Sequence, residues 1–187
     1  MNDAIRTTEN EKRLHRRCFT GHRPEKLSWS EKEVIAWLDA EIRKAIGDGF
    51  VTFIPGMARV VDIWAAEIVL RLRDEGKPIQ LICASPFEGF ERSWSEDWKQ
   101  RYIAVMRQAD IVKCVCQGYS RSCFQIRNEW MVDRSARVIA VYNGEAGGTR
   151  NTLKYAHNHS KEIMGLLQMQ VNCRQQPLSL REICLFE

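Results

Sequence analysis

The sequence predicts an α/β fold, a three-layer αβα sandwich around a mainly parallel sheet. Three observations predict it. Short apolar runs that suit strands alternate five times with stretches of helical periodicity. The run Ile79–Ala84 is nearly all apolar, as expected of a strand buried on both faces. Turn signals such as Pro55-Gly56, Gly76-Lys77-Pro78 and Asn143-Gly144 fall between the periodic segments.

The elements follow in order. Arg16–Thr20 reads as the first strand, with Cys18 and Phe19 entering the core, and Thr20-Gly21-His22-Arg23-Pro24 breaks it. Ser30 with Glu33 makes a capping box, and Val34, Ile35, Leu38, Ile42, Ala45 and Ile46 form the buried stripe of the helix that follows. Asp48-Gly49 ends that helix. Phe50–Ile54 is a second strand, stopped by Pro55 and Gly56. Val60, Val61, Trp64, Ala65, Ile68 and Leu72 then recur at helical spacing. After the third strand comes a loop from Ser85 to Trp94. Ser93 with Glu96 reads as a second capping box, opening a helix whose stripe is Trp98, Tyr102, Val105, Met106 and Ala109. Asp110–Cys116 is a fourth strand, Ser122–Ala136 a helix, Arg137–Tyr142 a fifth strand and Thr149–Ser160 a last helix. Met164–Val171 fits strand or helix and is expected to add an edge element or a partner contact. Residues 1–15 are expected to be a flexible lead-in, 16–160 one domain, and 161–187 a C-terminal extension.

Composition narrows the function classes. A chain of 187 residues with 44% hydrophobic content suits one globular domain. No apolar run approaches the roughly 20 residues of a membrane span, and the polar N-terminus lacks the apolar centre of a secretory signal, so a cytoplasmic protein without membrane partners is expected. The net charge of +4 permits anionic ligands without demanding nucleic acid. Seven cysteines are scattered, and Cys18, Cys83, Cys114 and Cys116 lie in apolar runs, where buried free thiols are expected. Cys114-Val-Cys116 lacks the spacing of a metal site, and His157 and His159, two apart on a helix, diverge. No metal is expected.

In a parallel sheet of this kind ligands sit outside the carboxyl ends of the strands. Here those ends are Gly21-His22-Arg23, Gly56-Met57-Ala58-Arg59, Ser85-Pro86-Phe87, Gln117-Gly118-Tyr119 and Asn143-Gly144. Two of them are small-residue turns that open helices: Gly56 to Asp62, and Asn143 through Gly147, Gly148 and Thr149. A helix N-terminus offers unpaired N–H groups and the positive end of its dipole, which suit a phosphate. Arg23 and Arg59 would add the planar fork that grips phosphate. His22 is a candidate contact near neutral pH. Asp62 suits ribose hydroxyls or a loop-fixing bond. Glu88 and Glu91 are further candidate carboxylates. Trp94, Trp98 and Trp130 read as core or rim packing before base-stacking platforms.

Four segments, taken together, resemble the YspA/YpsA-like branch of the SLOG superfamily, which also holds the LOG cytokinin-activating enzymes and the DprA/Smf DNA-processing proteins. They are Thr20-Gly21-His22-Arg23-Pro24; Gly56-Met57-Ala58-Arg59-Val60-Val61-Asp62 with Ala65-Ala66-Glu67; Arg127-Asn128 with Trp130-Met131-Val132-Asp133; and Ala140-Val141-Tyr142-Asn143-Gly144 through Gly147-Gly148-Thr149. The resemblance implies a Rossmann-like fold and a nucleotide or nucleotide-derived ligand, ADP-ribose- or NAD-like in kind, held by a sensor or sequestering module. It also implies pairing of copies. Two departures stand out. Val60 occupies a position where the branch usually has Gly. The LOG-type PGGxGTxxE motif, aligned on Gly148-Thr149, puts Thr152 where the catalytic Glu would stand, while Arg127 matches the upstream Arg. The alternatives are a nucleotide hydrolase using Asp62 or Glu88 as base, and DprA-like binding of single-stranded DNA, against which the mild charge counts.

Overall fold

The structure, a computed structural model, describes residues 8–22, 27 and 29–167. Its elements run α1 (Glu9–Leu14), β1 (Arg16–Gly21), α2 (Glu31–Gly47), β2 (Thr52–Ile54), α3 (Val61–Asp74), β3 (Gln80–Ser85), α4 (Glu96–Gln108), β4 (Ile111–Cys114), α5 (Cys123–Asp133), β5 (Arg137–Tyr142), α6 (Gly148–Asn158) and β6 (Glu162–Leu167). A single turn of 3-10 helix, Phe90–Ser93, sits between β3 and α4.

The six strands form one parallel sheet in the order β4-β3-β2-β1-β5-β6. The chain winds from β1 outward to β4, then returns to pair β5 with the other side of β1, with Gly21 opposite Val141. That reversal puts α2, α3 and α4 on one face and α5 and α6 on the other, because each crossover keeps the same hand. The strands divide their side chains accordingly. Phe19, Phe53, Leu81, Cys83, Ile139 and Val141 meet the α2–α4 layer. Cys18, Ile54, Ile82, Ala84 and Val138 meet Met131, Val132 and Ala156 of the α5–α6 layer. This period-two division gives the inner strands apolar residues on both faces, and is the three-layer sandwich expected.

Local sequence explains the helices unevenly. Ser30 and Glu33 close the expected capping box on α2: the Ser30 hydroxyl accepts from the Glu33 N–H, and the Glu33 carboxylate accepts from the Ser30 N–H at 2.8 Å. A cap contributes about 1 kcal/mol. Burying Val34, Leu38 and Ile42 contributes about 1.5–3 kcal/mol each, so the stripe outweighs the cap in holding α2. The second capping box does not form. Ser93 is spent in the 3-10 turn, and α4 opens at Ser95, whose side chain makes no cap bond. Thr8 and Glu11 make a capping box on α1 instead.

Two further expectations meet the structure at the sheet edges. Cys114 is exposed and Cys116 half-buried, because β4 is an edge strand with all four of its residues open to solvent. Of the stretch Met164–Val171, left open between strand and helix, Met164–Leu167 belongs to β6, which begins at Glu162 and pairs with β5 as an edge strand, and residues 168–171 lie outside the described residues. At the opposite end of the sheet from the strand C-termini, fully buried Arg17 and neighbouring Arg137 share Asp48 and lie against the Phe50 ring at 4.3 and 4.7 Å. That end is closed by ion pairing and ring packing, which leaves the C-terminal rim open.

Candidate functional site at the strand C-terminal rim

β1 lies where the winding reverses, so its C-terminus is the switch point of the sheet. Gly21 ends it. A Cβ at Gly21 would run into the side chain of Val61, so only glycine lets the first turn of α3 come this close to β1. The His22 N–H donates to Val141 O at 3.1 Å, closing the β1–β5 pair at the same point.

The α3 turn leaves β2 through Pro55 and Gly56. A Cβ on Gly56 would lie 2.5 Å from Arg127 Nη1, so glycine admits a guanidinium beneath the loop. Met57 and Val60 take positive φ, 60° and 75°, and both side chains are fully buried. Val60 thus keeps a conformation suited to glycine although it is β-branched. Buried Asp62 holds the loop: its Oδ2 accepts the Ala58 N–H at 3.0 Å. Burial pushes the Asp62 carboxyl above its usual range, while the charge of Arg127 and the N–H groups of Ala58 and Gly56 pull it back. Arg127 is buried too, and burial lowers its pKa against the opposing pull of Asp62. Its Nε donates to Asn128 Oδ1 at 2.9 Å. Asp62 Oδ1 and Arg127 Nη1 are buried without a hydrogen bond among the described residues. The turn therefore presents the first-turn N–H groups of α3, which have no intrahelical acceptor, on a loop fixed from below.

The second turn reaches the same place from β5. Tyr142 stacks on His22 with ring centroids 5.1 Å apart. Gly147 takes φ 152°, open to glycine, and a Cβ there would lie 4.0 Å from His22 Cε1. Asn143 Oδ1 accepts the Glu145 N–H at 3.0 Å and shapes the turn. Gly148 begins α6, and Thr149 is buried without capping it. Thr152 is fully buried and donates to Gly148 O at 2.9 Å, so the position of the LOG glutamate carries a hydroxyl spent on its own helix. His22 therefore sits between the two turns.

On the β3–β4 side, a cleft of about 400 Å³ opens, lined by Gly21, Ala58, Arg59, Ser93 and five aromatic side chains, Phe87, Phe90, Trp94, Tyr119 and Phe124. Arg59 stands 5.9 Å from the Trp94 ring centroid. Tyr102 donates to Ser85 Oγ at 2.9 Å and Ser85 donates to Phe87 O at 3.1 Å, which anchors the loop carrying Phe87. Neither Glu88 nor Glu91 lines this cleft. A larger groove of about 550 Å³ runs between α3 and α4, but it lies on the helix layer and its charges are spent in pairs such as Arg101–Glu67 and Arg71–Glu75.

Of the residues singled out from sequence, Gly21, Ala58 and Arg59 line the cleft, and His22 and Gly147 meet at the switch point. Gly56 and Asp62 lie under the loop, whereas Met57 points into the core. Asn143, Gly148 and Thr149 stand on the far shoulder and do not line the cleft. Arg23 lies outside the described residues. Of the aromatic wall only Trp94 was weighed as a base-stacking platform, behind packing, and the wall as a whole was missed. Its signal was the placement of Phe87 and Tyr119 on strand-end loops already assigned to the rim.

Comparison with known proteins bears on this geometry. The family model described as the YspA SLOG family matches residues 17–172. The chain belongs to the YspA SLOG family. A UPF0398 protein of Bacillus pumilus is 27% identical to it over 152 residues, covering 76% of this chain and 82% of the relative. The SPbeta prophage-derived protein YoqJ of Bacillus subtilis is 35% identical over 116 residues, covering 56% and 68%. Among solved structures, DNA processing protein A of Helicobacter pylori, which has a single-stranded DNA binding mode, superposes with a TM-score of 0.57 at 20% identity, covering 88% of this chain and 69% of that one. The Streptococcus pneumoniae protein of the same name gives 0.56 at 13%, covering 81% and 50%. At these identities the structural likeness shows the fold of this YspA SLOG member and nothing finer. Among its described residues no helix is long and apolar enough to cross a membrane, and no group of three or more His, Cys, Asp and Glu is placed to hold a metal.

Proposed function

We propose that the chain binds a nucleotide or nucleotide-derived ligand, ADP-ribose- or NAD-like in kind, at the strand C-terminal rim, as a sensor or sequestering module. One observation carries this reading: the helix-opening turns before α3 and α6 flank His22 at the switch point of the sheet, with Arg59 beside them. Backbone donors there hold phosphate and Arg59 neutralises it. Membership of the YspA SLOG family supports a nucleotide or nucleic-acid ligand. Thr152, in place of a carboxylate, favours holding over cleaving.

The fold likeness to two DNA processing proteins supports a second reading, single-stranded DNA. A single experiment separates the readings. The purified protein is incubated with AMP, ADP-ribose, NAD and cyclic nucleotides, its melting temperature is read, and each ligand is recovered for mass spectrometry. The expected result is a clear rise with one ligand recovered intact. A rise with the ligand converted makes the protein an enzyme. Binding of a DNA oligonucleotide that collapses steeply with salt, with no nucleotide effect, favours the second reading.

A further inference from the structure

The rim holds more than phosphate chemistry. Arg59 lines the 400 Å³ cleft together with Phe87, Phe90, Trp94, Tyr119 and Phe124, which make up most of its wall. The rings contact one another mostly edge-to-face, with Phe90–Trp94 centroids at 5.0 Å, Phe87–Phe90 at 5.6 Å and Phe87–Tyr119 at 5.9 Å. They come from three separate segments: the β3–α4 connection, the loop after β4, and the start of α5. Packing for its own sake would bury such rings, yet Tyr119 is 71% exposed and Phe124 36%. Apolar faces left in water around a concave space gain most when a flat apolar partner covers them.

The lining also limits how a ligand is read. Among the described residues it contains no carboxylate and no side-chain amide, the groups that recognise base edges by paired hydrogen bonds. Aromatic faces hold any base by its π surface, and hold larger bases better. The volume lies at the low end of the roughly 300–1,000 Å³ of small-molecule sites and suits one mononucleotide unit.

We propose that this cleft is a base-stacking subsite that takes the ring of a purine nucleotide whose phosphate rests on Arg59 and the α3 turn. The proposal rests on the reading of the rim as a nucleotide site and adds to it a ligand class and a rule of preference. Binding ranks with stacking surface: AMP and GMP alike, CMP and UMP weaker, ribose 5-phosphate weakest.

The test is calorimetric titration of the full chain with AMP, GMP, CMP, UMP and ribose 5-phosphate, repeated on Tyr119→Ala, Phe124→Leu and Arg59→Gln. Tyr119 is 71% exposed, so its truncation is expected to lower the melting temperature only slightly. The purine nucleotides are expected to bind about tenfold or more tightly than ribose 5-phosphate. Tyr119→Ala removes most of that advantage without changing the affinity for ribose 5-phosphate, and Arg59→Gln weakens all five. If ribose 5-phosphate binds as tightly as AMP and Tyr119→Ala changes nothing, the stacking subsite is overturned while the phosphate site at the rim stands. If none of the five binds, both fall. A large preference between AMP and GMP overturns stacking as the rule of selection. An oligonucleotide that binds far more tightly than any mononucleotide, with steep salt dependence, makes a polynucleotide the occupant and overturns the proposal.

Discussion

Val60 shows how one side chain bears two opposed demands. Its φ of 75° disfavours a β-branched residue by about 1–3 kcal/mol, yet its side chain is fully buried in the core. Truncation separates the two. Val60→Ala loses packing and keeps the strain; Val60→Gly loses slightly more packing and sheds it. We expect Val60→Ala to be the less stable variant in urea denaturation, the reverse of the usual order, in which Gly is worse than Ala. Asp62 and Arg127 make a second pair of opposed demands, each buried and each the other's counter-charge. Removing either leaves a buried charge uncompensated, so Asp62→Asn and Arg127→Met are each expected to cost about 3 kcal/mol, and the double variant less than their sum. The pH dependence has a definite sign. With its folded pKa raised, the Asp62 carboxyl binds its proton more tightly in the folded chain than in the unfolded one. Its contribution is fullest below the ordinary aspartate range and falls as pH rises through the raised value. The stability of wild type relative to Asp62→Asn should therefore decline as pH climbs out of that range. A difference that is flat with pH would count against a raised Asp62. None of this pairing was legible in sequence, where Asp62 and Arg127 belong to separate motifs and only the fold brings α5 beneath the α3 turn.

At the scale of elements, the contact of β1 with α3 sets the rim. Gly21→Ala drives a methyl into Val61 and is expected to lower both stability and ligand affinity by pushing the first turn of α3 away. Val61→Ala in the same chain makes room and should restore part of the loss. Absence of any rescue in the melting temperature of the double variant would mean that the contact does not set the distance. Most elements were readable because their signals are local. The α2 stripe and the Ser30 box needed no partner to be recognised. Ser93 failed as a cap because the preceding loop coils into a 3-10 turn, which helical periodicity downstream does not announce. The thiols of Cys114 and Cys116 were misplaced because an apolar run looks the same on a central strand and on an edge one, and β4 pairs with β3 alone. The aromatic cleft escaped notice for a related reason: its rings come from three segments that have no common period.

For the whole molecule, alternation of strands and helices was enough to predict a parallel sheet with both faces covered, because every βαβ step repeats the same rule. Strand order was not readable. Periodicity describes each strand alone, and the decisive pairing, β1 with β5, joins residues as far apart as Gly21 and Val141. That separation has a consequence for the chain in time. Strands β2, β3 and β4 each pair with the one before, so β1 to β4 can assemble as they leave the ribosome. Counted from its own synthesis, β1 keeps one edge bare until β5 is made, on the order of ten seconds at ordinary elongation rates. The α6 turn at the rim is thus a late acquisition of the nascent chain. A fragment ending before Arg137 should self-associate through the open β1 edge in sedimentation, whereas a monomeric fragment of that length would show that the half-sheet protects its own margin. In the cell, that interval leaves the strand at the centre of the finished sheet open to chaperones and to other nascent copies.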